Sequence, residues 1–188
     1  EAREKFIRSG MIGRVVHVKA FWNRVAAAID RRTASMPAEK PSNLDWARFL
    51  GPVKWREWNP LMYFNFRAFL EFNGGLMTDF GHHWMDVVHM FLGERAPHGV
   101  SASGLWLSQD GRTAPDEVVA LFCYEGFNVV FESLRIGAPT ENGVEFYGDK
   151  GKLFVNRSRY EFTPAGKGAE KIAKRWPGDI TVDLSLIH

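Results

Sequence analysis

The chain has a single cysteine, a near-cancelling charge and no long apolar run, and each scarcity removes a class of function. Cys123 sits inside an apolar stretch and can form no internal disulfide, so it reads as a buried thiol. With 24 basic and 22 acidic residues the net charge is only +2, which gives no basic face for nucleic acid or an anionic membrane. No segment reaches the roughly 18 apolar residues that a membrane span requires, and no signal peptide is visible, so a cytoplasmic location is expected. A Gly-rich turn between a first strand and a helix, the requirement for cradling a dinucleotide, is also missing. Gly148 to Gly151 is glycine-bounded but lies between two strand patterns.

What is present is hydrophobic and aromatic. At 188 residues, 45% hydrophobic, with seven Trp and fifteen Phe, the chain can bury a real core and reads as one domain over 1–188. It opens with a short amphipathic helical pattern ending at Ser9-Gly10, then a strand at Val15–Trp22. In that strand Val16, Val18, Ala20 and Trp22 alternate with His17, Lys19 and Phe21. Asn23 to Ser42 is polar with weak periodicity and reads as a long loop. Asp45 opens a short helix, DWARFLG, closed by Gly51-Pro52. Trp55 to Phe72 holds seven aromatics, which serve equally as core, as an oligomer surface or as the lining of a ring-substrate pocket.

Beyond residue 98 the pattern changes to strands: Gly99–Leu107, Glu117–Tyr124, Asn128–Ile136, Gly143–Tyr147, Lys152–Asn156 and Arg159–Thr163. Glu125-Gly126 and Asp149-Lys150 are the hairpin turns. Successive strands at hairpin spacing predict a mostly antiparallel sheet, and one strong helix predicts an α+β fold with helices on one face. The other face is left for solvent or a partner. The tail beyond Lys167 is polar.

The strong helix is the run Gly74 to Gly93, GGLMTDFGHHWMDVVHMFLG. At about 100° per residue, Leu76, Met77, Phe80, Trp84, Val87, Val88, Phe91 and Leu92 share an apolar arc. Asp79, His82, His83, Asp86 and His89 gather opposite, with no Lys, Arg or Glu among them. Asp79 and His83 are one turn apart, so the carboxylate could orient the imidazole and stabilise its protonated form. The same spacing is served by a helix-capping Asp79 with exposed histidines. A metal set of His82, Asp86 and His89 is a third reading, although the string is not HExxH.

Gly74-Gly75, Asp79, Gly81, His83 and Asp86 together resemble the signature of the glucose–fructose oxidoreductase, inositol dehydrogenase and rhizopine-catabolism (Gfo/Idh/MocA) family. That signature lies in the family's C-terminal, substrate-side domain. Asn73 replaces the first of the family's usual three glycines, and His82 has no family counterpart. Ser9-Gly10-Met11-Ile12-Gly13 is similar to the family's junction from its nucleotide-binding domain, so residues 1–13 are expected to be that junction. VEFYGDKGKLFV resembles the family's late hairpin. Glu39-Lys40-Pro41 spells the family's catalytic lysine motif but stands in the loop after the first strand, and is read as coincidence.

The resemblance implies half of an NAD- or NADP-dependent oxidoreductase acting on a secondary alcohol of a sugar or polyol. His83 would take the hydroxyl proton, Asp79 would orient it, and Gly81 would pack beside the cofactor. Trp22, Asn23, Arg24, Arg67 and Asp86 are the candidate substrate contacts, and no metal is assigned. No cofactor is expected on these residues alone, and a homodimer through the open sheet face is expected. A non-catalytic binding or oligomerisation module is the competing reading.

Overall fold

The computed structural model describes residues 1–25, 35–93, 96–136, 141–166 and 168–176. Eight strands form one sheet in the order β10-β9-β8-β7-β1-β5-β4-β3. They are β1 (Val15–Trp22), β3 (Gly99–Leu105), β4 (Glu117–Tyr124), β5 (Phe127–Ser133), β7 (Asn142–Gly148), β8 (Gly151–Val155), β9 (Arg159–Pro164) and β10 (Ile172–Arg175). Every pairing is antiparallel except β1 with β5. A separate parallel pair joins β2 (Arg24–Val25) to β6 (Arg135–Ile136). The α+β class follows, and among the described residues no helix is long and apolar enough to cross a membrane.

The period-2 pattern of β1 decides which face is buried. Val18 and Ala20 are fully buried, and their register partners continue the same face: Val129 and Phe131 on β5, Phe146 and Val144 on β7. Leu153 on β8 and Phe162 on β9 extend it. Against this face lie α1 (Arg3–Arg8, π-type), a π-helical turn Met77–Gly81, and α4 (His82–Leu92), into which that turn runs directly. Trp84, Val88 and Phe91 fill the layer from α4, with Phe91 stacked on Phe146 at 4.9 Å. Each such side chain, fully buried, contributes about 1.5–3 kcal/mol relative to exposure. Gly93 ends α4 in the left-handed region at φ 79°, its N–H donating to the His89 carbonyl at 2.7 Å.

The opposite face carries a band of alternating charge rather than helices. Lys19 pairs with Glu132 at 2.7 Å and Lys152 with Glu145 at 2.9 Å. Cys123 belongs to this face and is half-exposed, not buried as predicted. Its register neighbour there is Asn128, an exposed polar residue, so the apolar run around it covers only alternate positions.

The aromatic run from Trp55 mostly resolves as core. Trp46, Leu50, Leu61, Met62, Ala68 and Phe69 form a second cluster, with Phe49, Trp58 and Tyr63 packed against it. It is built from α2 (Trp46–Leu50) and α3 (Pro60–Phe64). Asp45 caps α2 through Arg48 N–H, as its sequence position predicts. The junction segment is clamped to the sheet: Arg14 N–H donates to Asp149 Oδ1 at 3.0 Å and Lys150 N–H to the Ile12 carbonyl at 3.1 Å. Gly13, at φ 77°, leaves no room for a Cβ, which would lie 1.7 Å from Asp149 Oδ1. The predicted strands keep their places within two or three residues, except that the third is interrupted at Leu134. Residues 26–34 of the predicted loop and 177–188 of the tail lie outside the described residues.

Candidate active site

The helix predicted over Leu76 to Leu92 does not begin as an α-helix. Gly75 turns the chain at φ 72°, and the five residues Met77–Gly81 wind with π geometry before α4 takes over. Such single π turns recur at functional sites because they displace one side chain from the regular spacing. Asp79 lies within this turn. Its carboxylate is not hydrogen-bonded to His83; the Nε–H of Arg67 donates to Oδ1 at 2.9 Å, with Oδ2 also 2.9 Å from Nε. Oδ2 is buried and accepts no hydrogen bond among the described residues. At 14% side-chain exposure, Asp79 is no solvated helix cap.

His83 lies one turn further on, half-buried. Its ring is 3.9 Å from that of His82 and 5.8 Å from Trp22. Burial, then the neighbouring His82 and Arg157, hold its pKa below the ordinary histidine value, and Asp79 partly opposes them. At neutral pH the ring is therefore a base ready to accept a proton. Trp22 is the floor of this corner: it stacks on Phe80 at 4.7 Å and lies beneath the Arg157 guanidinium at 5.1 Å.

A cavity of about 150 Å³ opens beside Asp79 and Phe80, walled by Arg24, Arg67, Arg112 and Asn65. Arg24 and Arg67, both expected site residues, line this cavity, and His83 stands outside the lining, linked to it through Trp22 and Phe80. Arg24 donates from Nη2 to the Asp116 carbonyl at 2.7 Å. Its pKa is lowered to about 10 by burial and by Arg112 and Arg135, against the opposing pull of Asp116 and Asp79. Asp116 is buried and anchors the wall. It accepts from Leu107 N–H at 2.7 Å, Ser108 N–H at 2.9 Å and Arg135 at 2.9 Å. Arg112 is held by Asp110 through contacts of 2.8 and 2.6 Å.

Three expected roles change. Asn23 does not line the cavity; its Oδ1 accepts from Leu134 N–H at 3.0 Å and ties β1 to the strand beyond. Asp86 is exposed on α4 and does not line the cavity. Gly81 is buried, and a Cβ there would meet Met77 Cε at 2.1 Å and Phe131 Cε1 at 3.4 Å. Packing onto its own sheet accounts for this glycine without any cofactor contact. The metal reading also fails to assemble. His82 Nδ1–H donates to the Thr78 carbonyl at 2.5 Å, and His89 Nε2 bonds the Tyr124 hydroxyl at 2.7 Å. Among the described residues no three metal-ligating side chains are grouped. Lys40 donates to the carbonyls of Pro41 and Leu44 in its own turn. Sequence reasoning missed Arg112, Asn65 and Asp116. The only local signal was the turn pattern around Gly111, which says nothing of a wall 30 residues away.

An open, mostly antiparallel sheet with helices on one face, and an Asp–x(3)–His turn at the helix start whose Asp79 lines a cavity, define an α+β domain. The family model described as the GFO/IDH/MocA C-terminal domain matches residues 52–154, more than half the chain. The chain belongs to the Gfo/Idh/MocA family. No curated protein matches it. Among solved structures it is similar to an inositol dehydrogenase homolog from Azotobacter vinelandii complexed with NADH and myo-inositol, at 14% identity and TM-score 0.61. It is also similar to a levoglucosan dehydrogenase complexed with NADH and levoglucosan, at 19% identity and TM-score 0.56. A third is an oxidoreductase domain protein from Kribbella flavida, at 22% identity and TM-score 0.57. Each match covers 93% of this chain, but only 38%, 43% and 42% of the respective structures. At these identities the likeness establishes the fold.

Proposed function

We propose that this chain is the substrate-side half of an NAD(P)-dependent oxidoreductase that acts on a secondary alcohol of a sugar or polyol. The observation that carries the reading is the Asp79–His83 turn: a buried carboxylate in a cavity wall, and a half-buried neutral imidazole one turn beyond it. Family membership supplies the reaction class, and the structures it resembles are of dehydrogenases bound to NADH with myo-inositol or levoglucosan.

Among the described residues no strand, glycine turn and helix occur in the order that holds a dinucleotide. Gly148 and Gly151 pair across a β-hairpin instead. These residues do not hold the cofactor, which needs a nucleotide-binding unit of the kind the family carries. A nicotinamide bound there would supply the hydride-acceptor chemistry. His83 takes the hydroxyl proton, and burial keeps its ring neutral for that task. Asp79 binds a substrate hydroxyl through its open Oδ2, and Arg67 fixes the carboxylate's position. Trp22 supports the imidazole from beneath. A half-exposed, unpaired Cys123 suits a reducing, cytoplasmic setting. The open sheet face joins two copies. A two-domain enzyme comprising this chain, assayed for NADH formation with a panel of cyclic and linear polyols, tests the reading; no turnover with any of them refutes it.

A further inference from the structure

The cavity contains a mismatch that selects among polyols. Three guanidinium groups wall it, from Arg24, Arg67 and Arg112, against one carboxylate, Asp79. Arg67 is neutralised by Asp79 and Arg112 by Asp110. Arg24 has no carboxylate within ion-pair reach among the described residues; its one hydrogen bond goes to a backbone carbonyl. Its Nε–H is buried and donates to nothing. On the same wall Asp79 Oδ2 is buried and, although 2.9 Å from Arg67 Nε, accepts no hydrogen bond among the described residues. A half-buried guanidinium in no ion pair, with Asp116 and Asp79 attracting it only at longer range, and two atoms without a hydrogen bond are costly unless something supplies their partners. Water can serve the dipoles but does not balance the charge.

We infer that the cavity takes a polyhydroxylated carboxylate, an acid of the aldonate class, with the carboxylate on Arg24 and a hydroxyl donating to Asp79 Oδ2. An anionic group meets the unpaired donor and the excess cation together, and a hydroxyl meets the unpaired acceptor. A neutral polyol meets only the second. A planar guanidinium with both Nε–H and Nη–H available favours the flat carboxylate. This inference rests on the proposed function only in taking the cavity as the substrate site. It separates from it cleanly, because binding is read without cofactor or turnover.

The experiment is calorimetric titration of the chain with D-gluconate, D-glucitol and D-glucose 6-phosphate. D-Gluconate binds at least about 10-fold more tightly than D-glucitol, the equivalent of one charge-assisted hydrogen bond, and the advantage shrinks with added salt. Arg24→Gln brings the two ligands within about 2-fold of each other, and Arg24→Lys, which keeps the charge, retains a preference for the acid. Equal binding of gluconate and glucitol by the unaltered chain overturns the inference without recourse to any variant. So does a preference that survives Arg24→Gln, or tighter binding of the phosphate than of gluconate. Turnover of neutral polyols by the two-domain enzyme without any gluconate preference leaves the catalytic reading standing and this one refuted.

Discussion

Arg67 Nε lies 2.9 Å from each carboxylate oxygen of Asp79, so the acid on this turn is held by a cation twelve residues upstream rather than by His83. The usual one-turn geometry would pair residues four apart directly. Here Asp79 lies within the π turn Met77–Gly81, and its carboxylate pairs with Arg67 instead. Asp79 therefore acts on His83 through space rather than through a hydrogen bond.

The titration of His83, followed by NMR on the 188-residue protein, reads that arrangement. Its pKa lies below the ordinary value because of burial, His82 and Arg157, with Asp79 pulling the other way. Asp79→Asn removes the only opposing charge named there, so the pKa falls further. Arg67→Ala releases the carboxylate toward the ring, so the pKa rises. If neither substitution moves it, the two residues are electrostatically independent and Asp79 has no part in tuning His83.

In the two-domain enzyme, His83→Ala lowers kcat by about 10²–10⁴, the usual range for losing a positioned acid–base group. The ring is half-exposed and its loss removes only tilted ring contacts, so stability changes by no more than about 1 kcal/mol. Turnover within a few-fold of the parent, in a variant with an unchanged melting curve, removes His83 from the mechanism.

The contrast between β1 and the cavity wall marks how far the residues could be read in order. Val18 and Ala20 announce a buried face by alternation alone, but their register partners on β5 and β7 lie far along the chain and no hairpin spacing points to them. Asn59-Pro60 was also a visible helix start, with Asn59 accepting from Met62 N–H at 3.1 Å. The aromatic density around it reads first as core or an oligomer surface, and Phe69, with Trp58 and Tyr63 packed against its cluster, is core. β10 was missed because IAKR buries only part of one residue and exposes three, so it carries no clear period. The Arg67–Asp79 pair and the Asp116 anchor join residues across loops, where no periodicity exists to reveal them. Spacing proposed an Asp79–His83 pair; the choice of partner was set by tertiary geometry.

Asp116 makes stability pH-dependent in a defined window. Burial alone would raise its pKa, yet hydrogen bonds from Leu107, Ser108 and Arg135 lower it from 3.8 to about 2. A carboxyl depressed in the folded state stabilises the fold above its unfolded pKa, and that contribution is lost as the pH falls through the folded value. The linkage is worth about 2 kcal/mol above pH 4 and disappears by about pH 2. Asp116→Asn removes the buried carboxylate that Arg135 and Arg112 face and costs about 3–5 kcal/mol near neutrality, with a flatter acid limb in urea denaturation. A variant as acid-sensitive as the parent would show that other groups govern that limb.

The sheet face away from the helices is the remaining surface to account for. Near β3 and β4 it presents Leu105 at 53% and Val119 at 42% exposure, apolar groups that a monomer gains nothing by showing to water. Beside them the Lys19–Glu132 and Lys152–Glu145 pairs alternate in sign across the strands. A two-fold axis through this face can set each lysine against a glutamate of the second copy, while the apolar ends close on each other. A stable interface of this kind buries about 1,200–2,000 Å², which an eight-stranded sheet face can supply. The chain should therefore run as a dimer by light scattering at micromolar concentration. Val119→Lys places a charge in the apolar part and shifts it to monomer, without disturbing the core on the other side of β4. A monomeric mass for the unaltered chain at high micromolar concentration rules this interface out.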